Sequence, residues 1–535
     1  MQFKRTHRPS IIGKQGAVAS NHPLATQAGL DILRAGGTAV DAAVAVSLTL
    51  GVVEPHMSGL GGDGFYHTLS GGTGEGVVYN GSGTAPLGLV LHKINELPLD
   101  GPSSVSVPGA LAALGMMHAE QGTLAWADLL LPAIEAARGG FGVTQTYQRY
   151  AERAFDSLQA NALSASIFLD QGEVPALGHF VVQERLARTL ERLAQDGATS
   201  FYRGALADQM VRDFVAVGIP VNAQDMQLFD PQRQVPIATS YRGYEFRQTP
   251  PNSTGFVLLE ALKIVEQFDF GHSAHLSAEV AHILIEAKKL AFIDRERYGA
   301  DPHYLDIPLN SLLSDTNAIR LADRVDRAQA ALLPVGTYAH QGNTTYFCVV
   351  DRHGNAVSAI QSLNSTFGSG VTLPESGIVM NNRMSCWHLD EAHPNRLVAG
   401  KRVRHTMNAP MILKNGKLWA VFGTPGADDQ VQINLQIAVG LIDFDQLPQS
   451  VVEAPRWGSS QSGQDSNWPH GGGDILTVES DFPIAEQRLL RAKGHSLCPI
   501  APLEGMGSAS CIRVLDGGVY VAGSDPRRDG WAAAF

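Results

Sequence analysis

The 535-residue chain changes character near residue 340, and this change limits the folds that it can adopt. Before that point the pattern is mainly helical, in segments separated by glycine. After it, short runs rich in valine, isoleucine and aromatic residues are bounded by Gly, Asn or Asp, which is typical of strands. The length also exceeds the size at which one hydrophobic core stops growing. The sequence therefore predicts several compact units or one multilayered body, with a sheet-rich last third.

Individual elements can be placed from periodicity and end signals. The predicted helical segments are 23–35, 39–50, 109–138, 182–217 and 279–298, and the predicted early strands are 64–69 and 76–79. Thr38 is a suitable N-cap for the second helix, which is apolar on most faces and therefore expected to be buried. The segment 458–473 is polar and glycine-rich, which predicts an exposed loop.

The charge balance excludes some classes of partner. A net charge of −12 and a pI near 5.8 argue against nucleic acid or an anionic membrane surface, because both favour basic patches. The longest apolar stretch, 39–53, contains polar residues and is shorter than the roughly 20 residues that span a bilayer. The first residues lack the apolar segment of a signal peptide, so a cytoplasmic location is expected. The four cysteines show no C-x-x-C spacing and are expected to be reduced.

The segment GLGGDG at 59–64 matches the dinucleotide-binding pattern G-x-G-x-x-G. That pattern functions between a preceding strand and a following helix, because the helix N-terminus receives the pyrophosphate. Here the predicted order is reversed, with a helix before the glycines and a strand after them. We therefore expect a tight turn or a close backbone approach, and no nucleotide cofactor.

Thr344, in the stretch HQGNTTYFCVVD at 340–351, suggests a specific chemistry. If the Asn343–Thr344 bond breaks, Thr344 becomes an N-terminus that carries both a hydroxyl nucleophile and an amine base. The amine has a reference pKa of about 7.7–8.0, which suits proton transfer near neutral pH. Taken alone, a Thr-Thr pair before an alternating strand is ordinary strand sequence, so the hypothesis needs further support.

That support comes from segments distributed along the chain. They are GAVASNHPLATQAGLDILRAGGTAVDAAVA (16–45), EPHMSGLGGDGF (54–65), SVPGA (106–110), PPNSTG (250–255), NTTYFCVVDRHGNAVSAIQSLNSTFGSG (343–370), GTPGADDQ (423–430), EAPRW (453–457) and SDPRRDG (524–530). In this order and spacing the chain resembles the γ-glutamyltransferase family of N-terminal-nucleophile hydrolases.

The resemblance implies an α+β fold, a four-layer αββα sandwich, and a proenzyme that cuts itself. Applied here, a large subunit of residues 1–343 and a small subunit of residues 344–535 would form one intertwined body, mainly helical in the first and mainly strands in the second. A homodimer of the processed unit is a further expectation. The resemblance implies neither a cofactor nor a metal.

The resemblance also assigns catalytic roles to particular positions. Thr344 would attack the substrate amide, and Ser362 would orient its hydroxyl. Asn364 falls on the neighbouring asparagine of the family's site. The backbone N–H groups of Gly426 and Ala427 would hold the oxyanion. Alanine keeps the N–H group, and a positive φ at this position would cost alanine more than glycine.

The substrate-binding positions depart from the family pattern. Ser82 falls where the transferases have an arginine for the glutamyl α-carboxylate, and Cys386 falls where they have an aspartate for the α-amino group. His405 and Thr406 replace two serines. Losing the arginine and the aspartate removes charged partners worth several kcal/mol, on the order of 3–5 for a broken pair, so a glutamyl head is expected to bind poorly.

Cations in the same segments could replace the missing arginine. Arg383, Arg404 and His405 are candidates for binding a small carboxylate. Oxamate, which family members without the arginine can use, is therefore our first substrate hypothesis. A γ-glutamyltransferase or glutathione hydrolase and a broader acylase remain alternatives. From other classes, a catalytically silent binding relative and a dinucleotide-dependent enzyme also have to be tested.

Overall fold

A computed structural model describes residues 6–331 and 343–535. Two seven-stranded antiparallel sheets lie face to face, and helices cover the outer face of each sheet. This is the four-layer αββα sandwich that the resemblance implies, so the predicted fold class is confirmed.

Each large sheet contains strands from both sides of residue 343. In spatial order, the strands of the first sheet are Ile11–Gly13, Val519–Ser524, Ser510–Leu515, Lys417–Gly423, Met411–Lys414, Tyr244–Gln248 and Ile237–Tyr241. Those of the second sheet, which we call the Thr344 sheet, are Trp531–Ala534, Gly16–Ser20, Asn343–Asp351, Ala356–Asn364, Asp63–Leu69, Gly76–Gly81 and Gln232–Gln234. The two segments 1–343 and 344–535 are therefore interleaved in both sheets.

The helices form two outer layers. Those that share one hydrophobic core with the Thr344 sheet are Pro23–Arg34, Ala39–Val53, Ala110–Gln121, Trp126–Gly139, Gln145–Arg153, Phe155–Gln159, Ala162–Phe168, Glu184–Asp196, Ala205–Val217 and Ala223–Leu228. Those on the other sheet are Gly255–Glu266, Ala278–Tyr298, Leu309–Leu312, Asp315–Ala322, Asp429–Ile442, Pro448–Val452 and Ile484–Ala492. Two small sheets complete the fold, formed by Trp457–Ser460, Ile475–Glu479 and Leu497–Ile500, and by Phe141–Gly142 and Phe180–Val181.

The strand Asn343–Asp351 is buried on both faces, which explains its almost continuous apolar sequence. Successive side chains point to opposite faces of a strand. Phe347 and Val349 accordingly pack under the helices, whereas Tyr346 and Cys348 pack between the two sheets. The start of this strand therefore lies in the centre of the molecule.

The helix Ala39–Val53 is enclosed by other elements, as its sequence predicts. Thr38 caps its N-terminus in a reciprocal pair with Asp41, and nearly all of its residues are buried. No described helix is both long and apolar enough to cross a membrane. Cys348, Cys386 and Cys511 are buried and Cys498 is exposed, and none of the four is paired with another.

The GLGGDG segment has the predicted reversed order, with the helix Ala39–Val53 before it and the strand Asp63–Leu69 after it. Its glycines are required by close backbone approach. A Cβ atom at Gly61 would collide with the carbonyl oxygen of Val379, and one at Gly62 would collide with that of Ser362. This turn therefore packs against the Thr344 sheet and does not have the strand-to-helix order of a nucleotide-binding loop.

Two expectations for the last third need correction. The expectation of a mostly sheet last third missed the helices Asp429–Ile442 and Ile484–Ala492. The first is buried and therefore as apolar as a buried strand, whereas the second is short and buries only Gln487 and Leu490. The prediction of an exposed loop at 458–473 is wrong in part. Its first residues belong to the strand Trp457–Ser460, and Ser466 and Asn467 are only 7% and 6% exposed. Their polar groups are satisfied inside the protein, so polarity did not indicate exposure.

Candidate active site

Thr344 lies at an irregularity in the pairing of two central strands. Asn343 pairs with Asn364 and Thr345 pairs with Gln361. An advance of two residues along one strand therefore corresponds to three residues along the other, so one residue is extra. A bulge of this kind redirects side chains and is common beside active sites. Here it brings the Thr344 hydroxyl opposite Ser362, on a residue that is only 3% exposed.

A short chain of hydrogen bonds connects the threonine hydroxyl with the peptide bond before it. Thr344 Oγ1 donates to Ser362 Oγ at 3.3 Å, and Ser362 Oγ donates to the carbonyl oxygen of Asn343 at 2.6 Å. The backbone N–H of Asn364 donates to the same serine hydroxyl at 2.8 Å. On the other side, Arg528 Nη1 donates to the Thr344 carbonyl oxygen at 3.0 Å. The carbonyl groups of Asn343 and Thr344 are therefore both held by hydrogen bonds.

A buried carboxyl group lies next to this peptide. Glu54, at the end of the helix Ala39–Val53, accepts a hydrogen bond of 2.6 Å from Thr345 Oγ1, which also receives Asn21 Nδ2 at 3.2 Å. Burial raises the pKa of Glu54 from 4.5 to about 7, although the Thr345 hydrogen bond and the Arg528 charge oppose the shift. The carboxyl group thus changes charge near neutral pH.

This raised pKa predicts a pH-dependent stability. The Glu54 carboxyl ionises near 4.5 when the chain is unfolded and near 7 when it is folded. The free energy of unfolding therefore falls as pH rises between these values, by about 2–3 kcal/mol between pH 5 and 8. Glu54→Gln should remove this loss, because the amide oxygen still accepts from Thr345 and carries no charge. Urea unfolding at both pH values, in a Thr344→Ala background, measures the difference. An identical pH dependence in both proteins would contradict the assignment.

Gly426 and Ala427 lie in the loop before the helix Asp429–Ile442. Both have a positive φ, of 130° and 48°. Glycine adopts such a conformation easily, whereas at Ala427 it costs backbone strain energy. The preceding strand ends at Gly423, where a Cβ atom would collide with the Tyr346 ring. The loop therefore begins directly over the Thr344 strand, and its N–H groups share the positive end of the helix dipole.

Three of the predicted substrate-binding positions form one buried cluster around the Asn364 side chain. Arg383 Nη1 donates to Asn364 Oδ1 at 2.9 Å, and Cys386 Sγ donates to the same oxygen at 3.4 Å. Arg383 and Cys386 are the ends of the 3-10 helix Arg383–Cys386, in which residues three apart lie above one another. His405 joins the cluster through Asp63.

Asp63 holds the two basic side chains of this cluster. It lies across the sheet from Ser362 and pairs with Arg383 Nε at 2.9 Å and His405 Nε2 at 3.1 Å. Burial alone would raise the pKa of Asp63, but the His405 hydrogen bond and the Arg383 charge lower it below its usual value. Burial and the Arg383 charge lower the pKa of His405 to about 4, so its ring is neutral at neutral pH.

Two nitrogen atoms of this cluster have no hydrogen-bond partner among the described residues, namely Arg383 Nη2 and His405 Nδ1. The arginine nitrogen is a donor. The neutral His405 ring donates from Nε2 to Asp63, so its Nδ1 is an acceptor. The cluster can therefore offer one charged donor and one neutral acceptor to a small polar molecule.

The remaining predicted positions bond outside this cluster. Ser82 Oγ donates to Asn80 Oδ1 at 2.7 Å and receives Asn252 Nδ2 at 3.0 Å, and its hydroxyl is too short to replace an arginine. Arg404 pairs with Glu296 at 2.7 Å on the helix Ala278–Tyr298, away from Asp63 and Asn364. Thr406 is buried beside His405 and accepts at its carbonyl from Asn408.

Sequence reasoning missed four residues of the site: Glu54, Asp63, Asn467 and Arg528. Asp63 was visible only as part of the GLGGDG pattern, and its register opposite Ser362 follows from strand pairing. Asn467 lies in the polar segment that we expected to be exposed. Each is charged or polar and fully enclosed, so burial would have been the signal, and sequence alone does not give it.

Two groups of three metal-ligating side chains occur in the described part of the chain, with ligand atoms within 4.8 Å of one another. They are His282, Glu286 and His495, and Glu296, His388 and His393. Both carboxylates already pair with cations, Glu286 with Lys289 at 2.9 Å and Glu296 with Arg404 at 2.7 Å. A divalent ion would add positive charge beside these cations, so we assign no metal to either group.

The fold and the site together define the class of the protein. A threonine hydroxyl near the start of a central strand, inside an αββα sandwich, is the arrangement of the N-terminal-nucleophile amidohydrolases. The Gamma-glutamyltranspeptidase family model matches residues 25–535. The chain belongs to the gamma-glutamyltranspeptidase family, and it is an amide hydrolase or acyltransferase of the proenzyme type.

Relatives in this family carry names that refer to different substrates. The chain is 38% identical to the glutathione hydrolase-like YwrD proenzyme of Bacillus subtilis, over 98% of this chain and 99% of the relative. It is 33% identical to the oxamate amidohydrolase proenzyme of Klebsiella pneumoniae, over the same shares of the two chains. The crystal structure of a cephalosporin acylase from Bacillus halodurans superposes with a TM-score of 0.91 at 35% identity, covering 100% of this chain and 98% of that one. Family membership therefore leaves the substrate open.

Proposed function

We propose that the protein cuts itself between Asn343 and Thr344 and then hydrolyses the amide bond of a small carboxylate-bearing substrate such as oxamate. The observation that carries this proposal is the unpartnered Arg383 Nη2, which lies in the same buried cluster as Asn364, one hydrogen bond from Ser362. A single fixed donor for a carboxylate, close to a threonine hydroxyl, suits a short substrate.

Self-cleavage begins when Thr344 Oγ1 attacks the carbonyl carbon of Asn343. Ser362 receives the proton of the attacking hydroxyl and donates its own toward the carbonyl oxygen, as the observed hydrogen bonds allow. Collapse breaks the C–N bond, the nitrogen takes up a proton as the Thr344 amine, and Asn343 is left as an ester on Oγ1. Water then hydrolyses the ester, which releases the Asn343 carboxylate and restores the hydroxyl.

Substrate hydrolysis repeats this chemistry with an external amide. The free amine of Thr344 accepts the hydroxyl proton and returns it to the leaving amine, and an acyl ester forms on Oγ1. The Arg528 guanidinium, bound to the Thr344 carbonyl, disfavours a second positive charge nearby and so favours the unprotonated form of the amine. The N–H groups of Gly426 and Ala427 stabilise the oxyanion. Water releases the acyl group.

The substrate preference follows from charge. Arg383 meets the carboxylate of oxamate through Nη2, while Asp63 and Asn364 fix the direction of its guanidinium. A γ-glutamyl head also carries an α-ammonium group. Cys386 offers no carboxylate to that ammonium group, so a glutamyl substrate would bury a charge without a partner.

The proposal is tested with purified, processed enzyme and three substrates: oxamate, glutathione and a γ-glutamyl anilide. We expect the highest kcat/KM with oxamate, and a small fragment whose N-terminal sequence begins Thr-Thr-Tyr. A clear preference for the γ-glutamyl compounds would contradict our interpretation of Ser82 and Cys386. Hydrolysis of bulky acyl amides ahead of all three would favour the acylase alternative, which the similarity to a cephalosporin acylase supports.

The remaining hypotheses have separate tests. The absence of any turnover in a correctly cleaved protein would favour the silent binding relative. The cytoplasmic location and the homodimer of the processed unit stay predictions, which fractionation and sedimentation of the natural protein would test.

A further inference from the structure

The loop 461–474, which connects the strands Trp457–Ser460 and Ile475–Glu479, extends into the candidate active site. We call it the capping loop. Its Asn467 is 6% exposed and lies against Asn364 and Cys386. Asn364 Nδ2 donates to Asn467 Oδ1 at 3.0 Å, and Ser385 Oγ donates to it at 3.0 Å. Cys386 Sγ lies 3.3 Å from the same oxygen and shares its one hydrogen between this oxygen and Asn364 Oδ1.

These contacts fall at the position that the family resemblance gives to the amino head of a glutamyl group. Cys386 aligns with the aspartate that holds the ammonium, and Asn364 is its neighbour in the site. In this chain the Asn467 side chain is bonded to both residues. Asn467 therefore lies where the resemblance places the amino end of a longer acyl group.

The capping loop is fixed to the loop that carries the proposed oxyanion donors. Ser466 donates to Asp428 through its backbone N–H at 2.9 Å and through its hydroxyl at 2.5 Å. Arg295, which is 1% exposed, bridges Asp428 and the carbonyl oxygen of Gln464. Asp428 follows Ala427 directly, so displacement of Asn467 would strain the anchors on both sides.

We propose that Asn467 determines the length of the acyl group that the enzyme accepts, by occupying the far end of the acyl pocket. This inference rests on the proposed function and adds its specificity. Acyl groups as short as that of oxamate stop before Asn467. Acyl groups of glutamyl length would have to displace it and break its hydrogen bonds with Asn364 and Cys386.

The test compares a homologous series of ω-amides, namely oxamate, malonamate, succinamate and glutaramate, by release of ammonia. In the wild type we expect kcat/KM to fall as the chain lengthens. Asn467→Ala should raise the ratio of kcat/KM for glutaramate to that for oxamate by about tenfold or more, since each methylene that gains room is worth roughly 10- to 200-fold. Asn467→Asp is the control of equal size. It keeps the accepting oxygen and adds a charge that repels the longer carboxylates, so its ratio should not rise above the wild-type value.

The outcomes separate the inference from the proposed function. A loss of activity that is equal for all four substrates indicates a structural role and overturns the inference, as does a ratio that rises equally in the alanine and aspartate variants. A wild-type enzyme that already prefers glutaramate overturns the proposed function and the inference with it. If Asn467→Ala fails to fold, Ser466→Ala decides instead. It removes one anchor of the capping loop, so a raised ratio supports the inference and an unchanged ratio overturns it.

Discussion

Replacing Thr344 by alanine is expected to leave one polypeptide of 57.1 kDa and to lower amide hydrolysis by a factor on the order of 10⁴ or more. The variant lacks the only atom that our mechanism uses as nucleophile in both the self-cleavage and the turnover. Denaturing electrophoresis after prolonged incubation and an ammonia-release assay measure the two effects. In the wild type the same gel should show fragments of 343 and 192 residues.

Thr344→Ser provides the matched control, since it keeps the hydroxyl and loses one methyl group. We expect slower but detectable cleavage before residue 344, with part of the activity retained. Full activity in a Thr344→Ala protein, or in a wild-type protein that stays in one piece, would contradict the mechanism. Freshly purified, still uncleaved Thr344→Ser and Thr344→Ala should have equal unfolding midpoints. Their difference in activity would then come from the chemistry and not from stability.

Replacing Arg383 by glutamine is expected to abolish the preference for a carboxylate-bearing substrate. We compare oxamate with pyruvamide, in which an acetyl group replaces the carboxylate at nearly the same size. Loss of a charged hydrogen bond costs about 1.5–3 kcal/mol, so kcat/KM for oxamate should fall roughly 10- to 100-fold while that for pyruvamide changes little. The effect should appear mainly in KM, because the carboxylate is bound before and during the reaction.

The Arg383 variant also disturbs a buried ion pair with Asp63, so its folding has to be controlled. The double variant Asp63→Asn, Arg383→Gln removes both charges and should recover stability without recovering the preference for oxamate. Arg383→Lys keeps the charge and loses the planar fork, and we expect an intermediate preference. If Arg383→Gln still discriminates oxamate from pyruvamide as the wild type does, Arg383 does not bind the carboxylate.

The sequence was informative where local pattern and buried position agree. The helix Ala39–Val53 could be predicted from its cap and its all-round apolarity, and the strand Asn343–Asp351 from its β-branched and aromatic run. The resemblance located Thr344, Ser362 and Asn364. Because these three residues lie on two paired strands, strand pairing was sufficient to bring them together.

The rest of the site depends on contacts between distant segments, which no local pattern contains. Arg383 and Arg404 were both candidates in the sequence, and only packing assigns one to Asp63 and the other to Glu296. Asn467 could not be predicted as a site residue because its neighbours in the sequence are polar. A buried polar side chain with partners looks the same in the sequence as an exposed one. The positive φ of Ala427 likewise follows from its loop and not from its residue type.

The interleaving of the strands has a consequence for the lifetime of the processed enzyme. If the chain is cut after residue 343, both sheets are completed by strands from two separate polypeptides. Renaturation then becomes a second-order reaction between fragments, and each fragment exposes unpaired sheet edges until it meets the other. The uncut precursor can refold as a single chain. Refolding of the cut form depends on the concentration of the fragments and competes with their aggregation. The lifetime of the active form is therefore set by its rate of unfolding.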